Sequence, residues 1–343
     1  MGDVNELKEG TGLVLAGGGG KGIYQVGILK SLAEAGYLDN IVAASGSSIG
    51  GINAVLFSEG LAEGGINRAI TQMEEAWDDM DFGVLFDVDE DSIRAGEKRF
   101  SRNETKRLID KYLTYELLEK AIDLYITGAK CPSNMVTGDI ISQEEMNLLW
   151  TLSTEETYKD FSAEYFHLND KSCDFVKQAI LATSALPVIY APVEVDGNLY
   201  VDGGLKDNVP IKPLYDLGIR RFIVIELSVK SAIKQEDYPD AEIIDIVPSA
   251  DLGKLVSGTL NFDKQDKAVK KYFAELEGKR YIKTLFEKDE TYIEIQDSLA
   301  RLDFEAAKKK AEYETKYDQL SNSVNRNFDY INKLEESLKK LDQ

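Results

Sequence analysis

The chain has 343 residues, of which 43% are hydrophobic and 29% charged, a balance typical of a folded globular protein. Its formal net charge of −21 argues against nucleic-acid binding, which needs a basic surface, and against broad electrostatic docking on anionic lipid. Two cysteines and one histidine offer neither a disulfide framework nor a cluster with metal-ligand spacing.

The polar start of the chain predicts no signal peptide, and no apolar run is long enough to predict a transmembrane span. Two cysteines without a disulfide framework are typical of a protein in the reducing cytoplasm. These observations together predict a cytoplasmic protein, with peripheral association with membranes left open.

The first predicted elements alternate between strands and helices. A strand over residues 11–16 leads into a glycine loop over residues 17–22, and a helix is predicted from Ile23 to Ala35. A second buried strand covers residues 41–45, and a helix follows from Ile49 to Leu61. This order predicts a parallel sheet covered by helices.

The glycine loop matches two nucleotide-binding patterns only in part. Gly17, Gly19 and Gly22 have the spacing G-x-G-x-x-G, but a dinucleotide fold requires an acidic residue at the end of the next strand. That strand ends in Gly46-Ser47-Ser48 instead, and a Walker A loop does not fit because Gly22 follows Lys21. Glycines also let backbone N–H groups approach a ligand oxygen closely, so we interpret the loop as an oxyanion-binding loop.

Ser48 lies in the sequence Gly46-Ser47-Ser48-Ile49-Gly50, between the second strand and its helix. The pattern G-x-S-x-G is typical of a nucleophile elbow, where a sharp turn exposes the serine hydroxyl. Gly46 and Gly50 leave room for the turn, and the helix N-terminus favours negative charge. The pattern alone would also fit a serine that only caps the helix.

The partner of this serine is predicted to be a carboxylate. The single histidine, His167, lies in an apolar stretch with no neighbouring carboxylate in sequence, so we interpret it as structural. Asp202 ends the second strand of a hairpin whose type I′ turn is already supplied by Asp196-Gly197. Asp202 is therefore predicted to act as general base for Ser48, in a Ser–Asp dyad.

Three blocks of this sequence together resemble the signature of patatin-like phospholipases. They are residues 13–27, Gly46–Gly51 and Asp202–Gly204, and residues 182–187 and 246–253 are also similar. The resemblance covers roughly residues 11–262. Where Lys21 stands the family most often has arginine, and lysine keeps the charge without the planar guanidinium fork.

The resemblance implies a three-layer α/β/α sandwich on a mostly parallel sheet, and hydrolysis of a lipid acyl ester of the phospholipase A or lysophospholipase type. It assigns the nucleophile to Ser48 and the base to Asp202. The elbow glycines are Gly46 and Gly50, and the oxyanion loop comprises Gly17, Gly18, Gly19, Gly20, Lys21 and Gly22.

The predicted chemistry needs no cofactor and no metal, and the acidic run between residues 74 and 91 lacks the spacing of an EF-hand calcium loop. The expected partner is a lipid substrate at a membrane or micelle surface. Two other function classes stay open: an acyltransferase or transacylase with a G-x-S-x-G nucleophile that relies on histidine, and a non-catalytic scaffold that binds a partner.

The last part of the chain differs in composition, because it is dense in Lys and Glu and contains no proline. We therefore predict a catalytic domain over residues 1–262 and a charged helical extension over residues 263–343. An apolar stripe is predicted at Leu320, Val324, Ile331, Leu334, Leu338 and Leu341. This stripe requires burial, either on the catalytic domain or in a coiled coil that would make a homo-oligomer or bind a partner.

Overall fold

The computed structural model describes residues 8–80, 102–132, 159–187, 190–287, 294–295, 298–299, 301–317 and 320. The strands of this described part form one sheet of eight. They are β1 (Thr11–Leu15), β2 (Ile41–Ser47), β3 (Asp123–Lys130), β4 (Ser162–His167), β5 (Val193–Val195), β6 (Asn198–Asp202), β7 (Arg221–Ile225) and β8 (Glu242–Ile246).

Helices cover this sheet. They are α1 (Ile23–Glu34), α2 (Ile49–Asp79), α3 (Asn103–Tyr112), α4 (Tyr115–Leu118), α5 (Cys173–Thr183), α6 (Lys212–Asp216) and α7 (Lys264–Glu287). The backbone of α2 leaves the helical conformation at Gly64 and Gly65, which divides it into two segments. Residues 301–317 are also helical. None of the helices in these ranges is long and apolar enough to cross a membrane.

The sheet is mostly parallel, as the sequence predicts. Its order is β5-β6-β3-β2-β1-β7-β8; β3, β2, β1, β7 and β8 run parallel, while β4 and β6 are antiparallel to β3. Alternate residues of β1 belong to two separate cores, since Leu13 and Leu15 pack with α1 and α2 whereas Val14 packs with Leu214 of α6. Helices therefore cover both faces, and the predicted three-layer α/β/α architecture is confirmed.

One edge of β3 brings two strands together end to end. β2 pairs with the first half of β3 up to Ser47 opposite Thr127, and β6 pairs with the second half from Gly128, which lies opposite Asp202. β4 occupies the other edge of β3 over residues 125–130. Because β2 and β6 run in opposite directions, the residues at their carboxyl ends meet at the middle of β3.

The helix after residue 262 packs closely on the sheet domain. Phe273 and Ala274 of α7 are buried in the same core as the sheet, and the Tyr24 hydroxyl of α1 donates a hydrogen bond of 2.7 Å to Glu277 Oε2. Phe304 in turn packs on Phe273, with ring centroids 4.7 Å apart. The predicted boundary between a catalytic domain and a helical extension, at residues 262/263, stays a prediction. The contact between α1 and α7 shows that α7 packs on the sheet domain.

Of the predicted apolar stripe, only Leu320 falls in the described residues, and its side chain is exposed. Val324, Ile331, Leu334, Leu338 and Leu341 lie outside the described residues. Whether the stripe packs on this chain or on a partner therefore stays a prediction.

Candidate active site

Ser48 occupies the sharp turn between β2 and α2. Its backbone has φ 54° and ψ −127°, a left-handed conformation that is strained for a residue with a side chain. The Ser48 N–H donates a hydrogen bond of 3.0 Å to Thr183 Oγ1 at the end of α5, which helps to hold the turn. The turn also needs glycine at position 50, because a Cβ there would lie 2.1 Å from the Leu15 carbonyl oxygen.

Asp202 meets this serine from the end of β6. The Ser48 hydroxyl donates a hydrogen bond of 2.6 Å to Asp202 Oδ2, and the Gly204 N–H donates one of 2.9 Å to Oδ1. Asp202 is buried, and no basic side chain in the described ranges forms an ion pair with it. Burial raises the pKa of Asp202 to about 6, although the hydrogen bonds from Ser48 and Gly204 act in the opposite direction.

The glycine loop borders the same site. The Gly17 N–H already donates to the Asn208 carbonyl oxygen at 3.2 Å, whereas no described residue accepts a hydrogen bond from the N–H of Gly18 or Gly19. The Gly19 backbone has φ 57°, and a Cβ there would lie 2.1 Å from the Thr259 carbonyl oxygen, so only glycine fits. The free N–H groups of the loop are therefore the candidate donors to a substrate oxygen.

Lys21 lies in this loop but does not line the cavity beside Ser48. Its side chain is partly buried, and burial lowers the pKa of its ammonium group, an effect that nearby Asp251 opposes. A Cβ on Gly258 would lie 2.8 Å from Lys21 Cε, so the side chain passes close to Gly258. Thr259, the next residue, lies against Gly19 of the same glycine loop.

A cavity of about 330 Å³ opens from Ser48 and Asp202. Its lining is mainly apolar, and the part contributed by α2, α3 and neighbouring segments includes Ile49, Ile52, Val55, Leu56, Leu108, Ile109, Leu113, Ile180 and Leu186. An apolar cavity next to the Ser48 hydroxyl is suited to an acyl chain, whose burial is driven by the hydrophobic effect.

A buried polar network lies behind the glycine loop. Gln25 Nε2 donates to the carbonyl oxygens of Ala16 at 2.8 Å and Ile225 at 3.2 Å, which joins α1 to the ends of β1 and β7. Asn53 Nδ2 donates to Gln25 Oε1 at 2.8 Å, and the Trp77 indole N–H donates to Asn53 Oδ1 at 2.8 Å. With its members bonded to one another, the network fixes the place where the loop begins.

His167 lies opposite Tyr125, near the amino end of β3. Its Nε2 is 3.3 Å from Asp123 Oδ1, and its ring stacks on Tyr125 with centroids 4.6 Å apart. None of these contacts involves Ser48 or Asp202. The sequence interpretation of His167 as structural agrees with these surroundings.

The sequence analysis missed several residues that position the site. It assigned no role to Thr183, Asn208, Gln25 or Asn53, although each makes a hydrogen bond to the elbow, to the glycine loop or within the network behind it. A signal did exist for two of them, because Gln25 and Asn53 are polar residues inside otherwise apolar helical stretches, a few positions after the two glycine blocks.

Comparison with known proteins identifies a family to which this sequence is similar. The family model for patatin-like phospholipase matches residues 13–215. Patatin-like phospholipase domain-containing protein 7 of Rattus norvegicus is 26% identical over 236 residues, which cover 67% of this chain and 14% of that protein. Lysophospholipase NTE1 of Cryptococcus neoformans var. neoformans (strain JEC21) is 27% identical over 234 residues, covering 67% of this chain and 12% of that protein.

This chain thus matches only a small share of the length of these curated relatives. Among solved structures, VipD from Legionella pneumophila superposes with a TM-score of 0.43 at 14% identity, covering 81% of this chain and 67% of that one.

Proposed function

The chain belongs to the patatin-like phospholipase family, and from this premise we propose that it is a lipid acyl hydrolase with Ser48 as nucleophile and Asp202 as general base. The observation that carries the proposal is the hydrogen bond of 2.6 Å from the Ser48 hydroxyl to Asp202, at one end of an apolar cavity. A strained turn, a buried carboxylate and unoccupied backbone N–H groups converge on this point.

The proposed first step forms an acyl-enzyme. Ser48 Oγ attacks the ester carbonyl carbon while Asp202 accepts the hydroxyl proton, and the N–H groups of Gly18 and Gly19 stabilise the carbonyl oxygen as it becomes negative. The C–O bond to the leaving alcohol then breaks, and Asp202 returns its proton to that alcohol. Water attacks the acyl-enzyme in the second step, Asp202 takes the water proton, and the fatty acid leaves as the proton returns to Ser48.

The surroundings of Asp202 support its role as base. A carboxylate with an ordinary pKa of 3.8 is a weak proton acceptor, but burial raises the pKa of Asp202 to about 6. The second oxygen is held by the Gly204 N–H, so Oδ2 keeps its direction toward Ser48.

The proposed substrates are phospholipids or lysophospholipids presented at a membrane or micelle surface. The apolar lining of the cavity supports an acyl chain, and one relative carries the name lysophospholipase. The proposed setting is the cytoplasm, and association of two copies through the C-terminal helix is a further part of the proposal.

A transacylase is the second candidate, because it would use the same serine and the same oxyanion donors. In that case a histidine would be expected to serve the nucleophile. His167 contacts Asp123 and Tyr125 instead of Ser48, which favours hydrolysis through the dyad.

The test is to incubate the full chain with a mixed phospholipid and lysophospholipid extract and to identify the products by mass spectrometry. We expect free fatty acids from the native chain and none above background from Ser48→Ala. Ser47→Ala is the matched control, because the neighbouring Ser47 hydroxyl is buried and has no hydrogen-bond partner among the described residues. Equal fatty-acid release by the native chain and a folded Ser48→Ala variant would contradict the proposal.

A further inference from the structure

Gly18 offers a backbone N–H in the wall of the cavity beside Ser48, and the peptide group that it shares with Gly17 sets its orientation. Both glycines line the cavity, and no described residue accepts a hydrogen bond from the Gly18 N–H. A peptide group is planar and trans, so its C=O and its N–H point in opposite directions. Whatever holds the Gly17 carbonyl oxygen therefore also aims the Gly18 N–H.

The Gly17 carbonyl oxygen is held by a side chain. Asn208 Nδ2 donates a hydrogen bond of 3.2 Å to it, and the Asn208 carbonyl oxygen accepts a hydrogen bond from the Gly17 N–H, also at 3.2 Å. On the preceding peptide group, the Ala16 carbonyl oxygen accepts a hydrogen bond of 2.8 Å from Gln25 Nε2. Three of the four polar groups on these two peptide groups are therefore bonded, and the fourth is the Gly18 N–H, which has no acceptor among the described residues.

The next N–H of the loop is held in a different way. The Gly18 carbonyl oxygen accepts a hydrogen bond of 3.3 Å from the Lys21 N–H, within the turn of the loop itself. That bond fixes the peptide group that carries the Gly19 N–H, and it needs no side chain. Of the two proposed donors to the substrate oxygen, only the Gly18 N–H depends on a side-chain hydrogen bond for its orientation.

The turn that carries Asn208 is the one that follows Asp202, and it is braced by its own hydrogen bonds. Asp207 Oδ1 accepts a hydrogen bond of 3.2 Å from the Val209 N–H, and Asp207 Oδ2 accepts one of 2.7 Å from the Tyr165 hydroxyl of β4. The proposed base and the side chain of Asn208 are therefore placed by a single turn that is tied to the sheet.

A bond that serves only the stability of the fold is the other account of Asn208. The residue is exposed, however, and a substitution at an exposed position ordinarily changes stability little. Gly17 and Gly18 both lack a Cβ, so no side chain on either side opposes rotation of the peptide group between them. Loss of the Asn208 side-chain bond should therefore misdirect the Gly18 N–H while the fold is retained.

We propose that Asn208 is a positioning residue that directs the Gly18 N–H at the carbonyl oxygen of the substrate. This oxygen gains negative charge only as Ser48 attacks, so a correctly aimed donor stabilises the transition state more than the bound substrate. Asn208 itself takes no part in bond making. The proposal rests on the proposed function, because it assumes that Ser48 forms the tetrahedral intermediate.

The first experiment measures steady-state kinetics of the full chain with a lysophospholipid. Asn208→Ala removes the amide, and Asn208→Asp keeps its shape but places an acceptor against the Gly17 carbonyl oxygen. We expect kcat to fall by about tenfold to a hundredfold in both variants, with KM within about twofold of the native value. The matched control is Asn198→Ala, which should leave both constants unchanged, because Asn198 Nδ2 donates to the Asp196 carbonyl oxygen in the β5–β6 turn.

A second measurement separates the aim of the donor from the integrity of the cavity. Dodecyl trifluoromethyl ketone adds to a serine oxygen and places negative charge where the substrate oxygen would carry it, whereas dodecanol brings the same alkyl chain without that charge. In the Asn208 variants the inhibition constant of the ketone should rise by the factor by which kcat falls, and that of the alcohol should not change. Melting temperatures should stay within about 2 °C of the native value.

Equal inhibition of the native chain and a folded Asn208→Ala variant by the ketone would overturn the role of Asn208. An equal loss of affinity for ketone and alcohol would also overturn it, because the cavity itself would then have changed. If Asn208→Ala does not fold, Asn208→Asp answers the same question with a side chain of the same shape. A failure of the proposed function is distinguishable, since the native chain and Ser48→Ala would then bind the ketone equally well.

Discussion

Two aspartates lie at different places along β3, each beside a hydrogen-bonding partner, and their surroundings differ. Near the middle of the strand, Asp202 of β6 lies opposite Gly128, is buried, and accepts a hydrogen bond from the Ser48 hydroxyl. At the amino end, Asp123 is partly exposed, forms an ion pair with Lys8, and lies 3.3 Å from His167 Nε2. Only the first arrangement combines a strained serine, a carboxylate without a cation and an adjoining cavity.

This difference shows why an acid–histidine contact is a poor guide to chemistry by itself. Asp123 and His167 would form two thirds of a catalytic triad, but no described serine joins them. Asp202 contacts Ser48 without a histidine between them, and burial raises the pKa of its carboxyl group to about 6, which suits a general base. The environment of each aspartate therefore distinguishes the two pairs better than the residue types do.

The largest expected effect comes from removing the nucleophile. Ser48→Ala should lower kcat/KM for a lysophospholipid by at least about 10³-fold, since it removes the oxygen that is proposed to carry the acyl group. Mass spectrometry of the released fatty acid measures the rate, and circular dichroism confirms that the variant is folded. Ser47→Ala should retain most of the activity, and a similar loss in both variants would remove the distinction between the two serines.

The second effect compares the two aspartates directly. Asp202→Asn should lower kcat by about 10²- to 10³-fold because an amide cannot accept the serine proton, whereas Asp123→Asn should change kcat by less than about threefold. Initial rates at saturating substrate decide between them. A greater loss in Asp123→Asn than in Asp202→Asn would move the general base to the His167 end of β3 and support the histidine-dependent transacylase.

The third effect is on the pH profile. Asp202 must be unprotonated to accept the serine proton, and its pKa is raised to about 6, so kcat/KM should fall about tenfold per pH unit below about pH 6. The measurement is kcat/KM against pH in constant ionic strength. Asp123→Asn should keep the same acidic limb, and a limb near pH 4 instead would show that burial does not raise this pKa in solution.

The fourth effect concerns the residue that holds the elbow. Thr183→Val removes the oxygen that accepts the Ser48 N–H but keeps the shape of the side chain, and it should lower kcat by about tenfold. Thr183→Ser keeps the acceptor and should restore most of that loss. Equal activity of the valine and serine variants would show that the packing of Thr183 matters and its hydrogen bond does not.

The smallest effect is expected for the histidine. His167→Ala should leave kcat/KM within about threefold of the native value, because His167 contacts Asp123 and Tyr125 and no part of the dyad. Its main consequence should be a lower melting temperature from the lost stacking on Tyr125. A large loss of activity without unfolding would contradict the structural role assigned to His167.

Much of the architecture could be predicted from sequence because the parallel strands are continuous apolar runs next to glycine blocks. The predicted strands at residues 11–16 and 41–45 coincide with β1 and β2, and the positive φ values of Asp196 and Gly197 confirm the type I′ hairpin turn. These features depend on local patterns, and so local reasoning is sufficient for them.

Features that depend on distant partners were not predicted. β4 was missed because its residues are mostly half-buried and do not alternate clearly. The link from Thr183 to the Ser48 N–H could not be read from sequence either, since it depends on where α5 packs. The burial of Glu59 in α2 could not be predicted either, because a glutamate in an amphipathic helix ordinarily faces water.

The end-to-end meeting of β2 and β6 on β3 also has a consequence for folding. The hydrogen bond from Ser48 to Asp202 joins residues that are 154 positions apart, and it can form only after the hairpin of β5 and β6 has docked on β3. Contacts this distant in sequence are slow to form, because a long loop must close before they stabilise anything. The pairings of β1 with β2 and of β2 with β3 join residues closer in sequence, such as Thr11 with Ile41 and Ala43 with Asp123, and can therefore form first. The return of hydrolysis during refolding would then time the arrival of this hairpin.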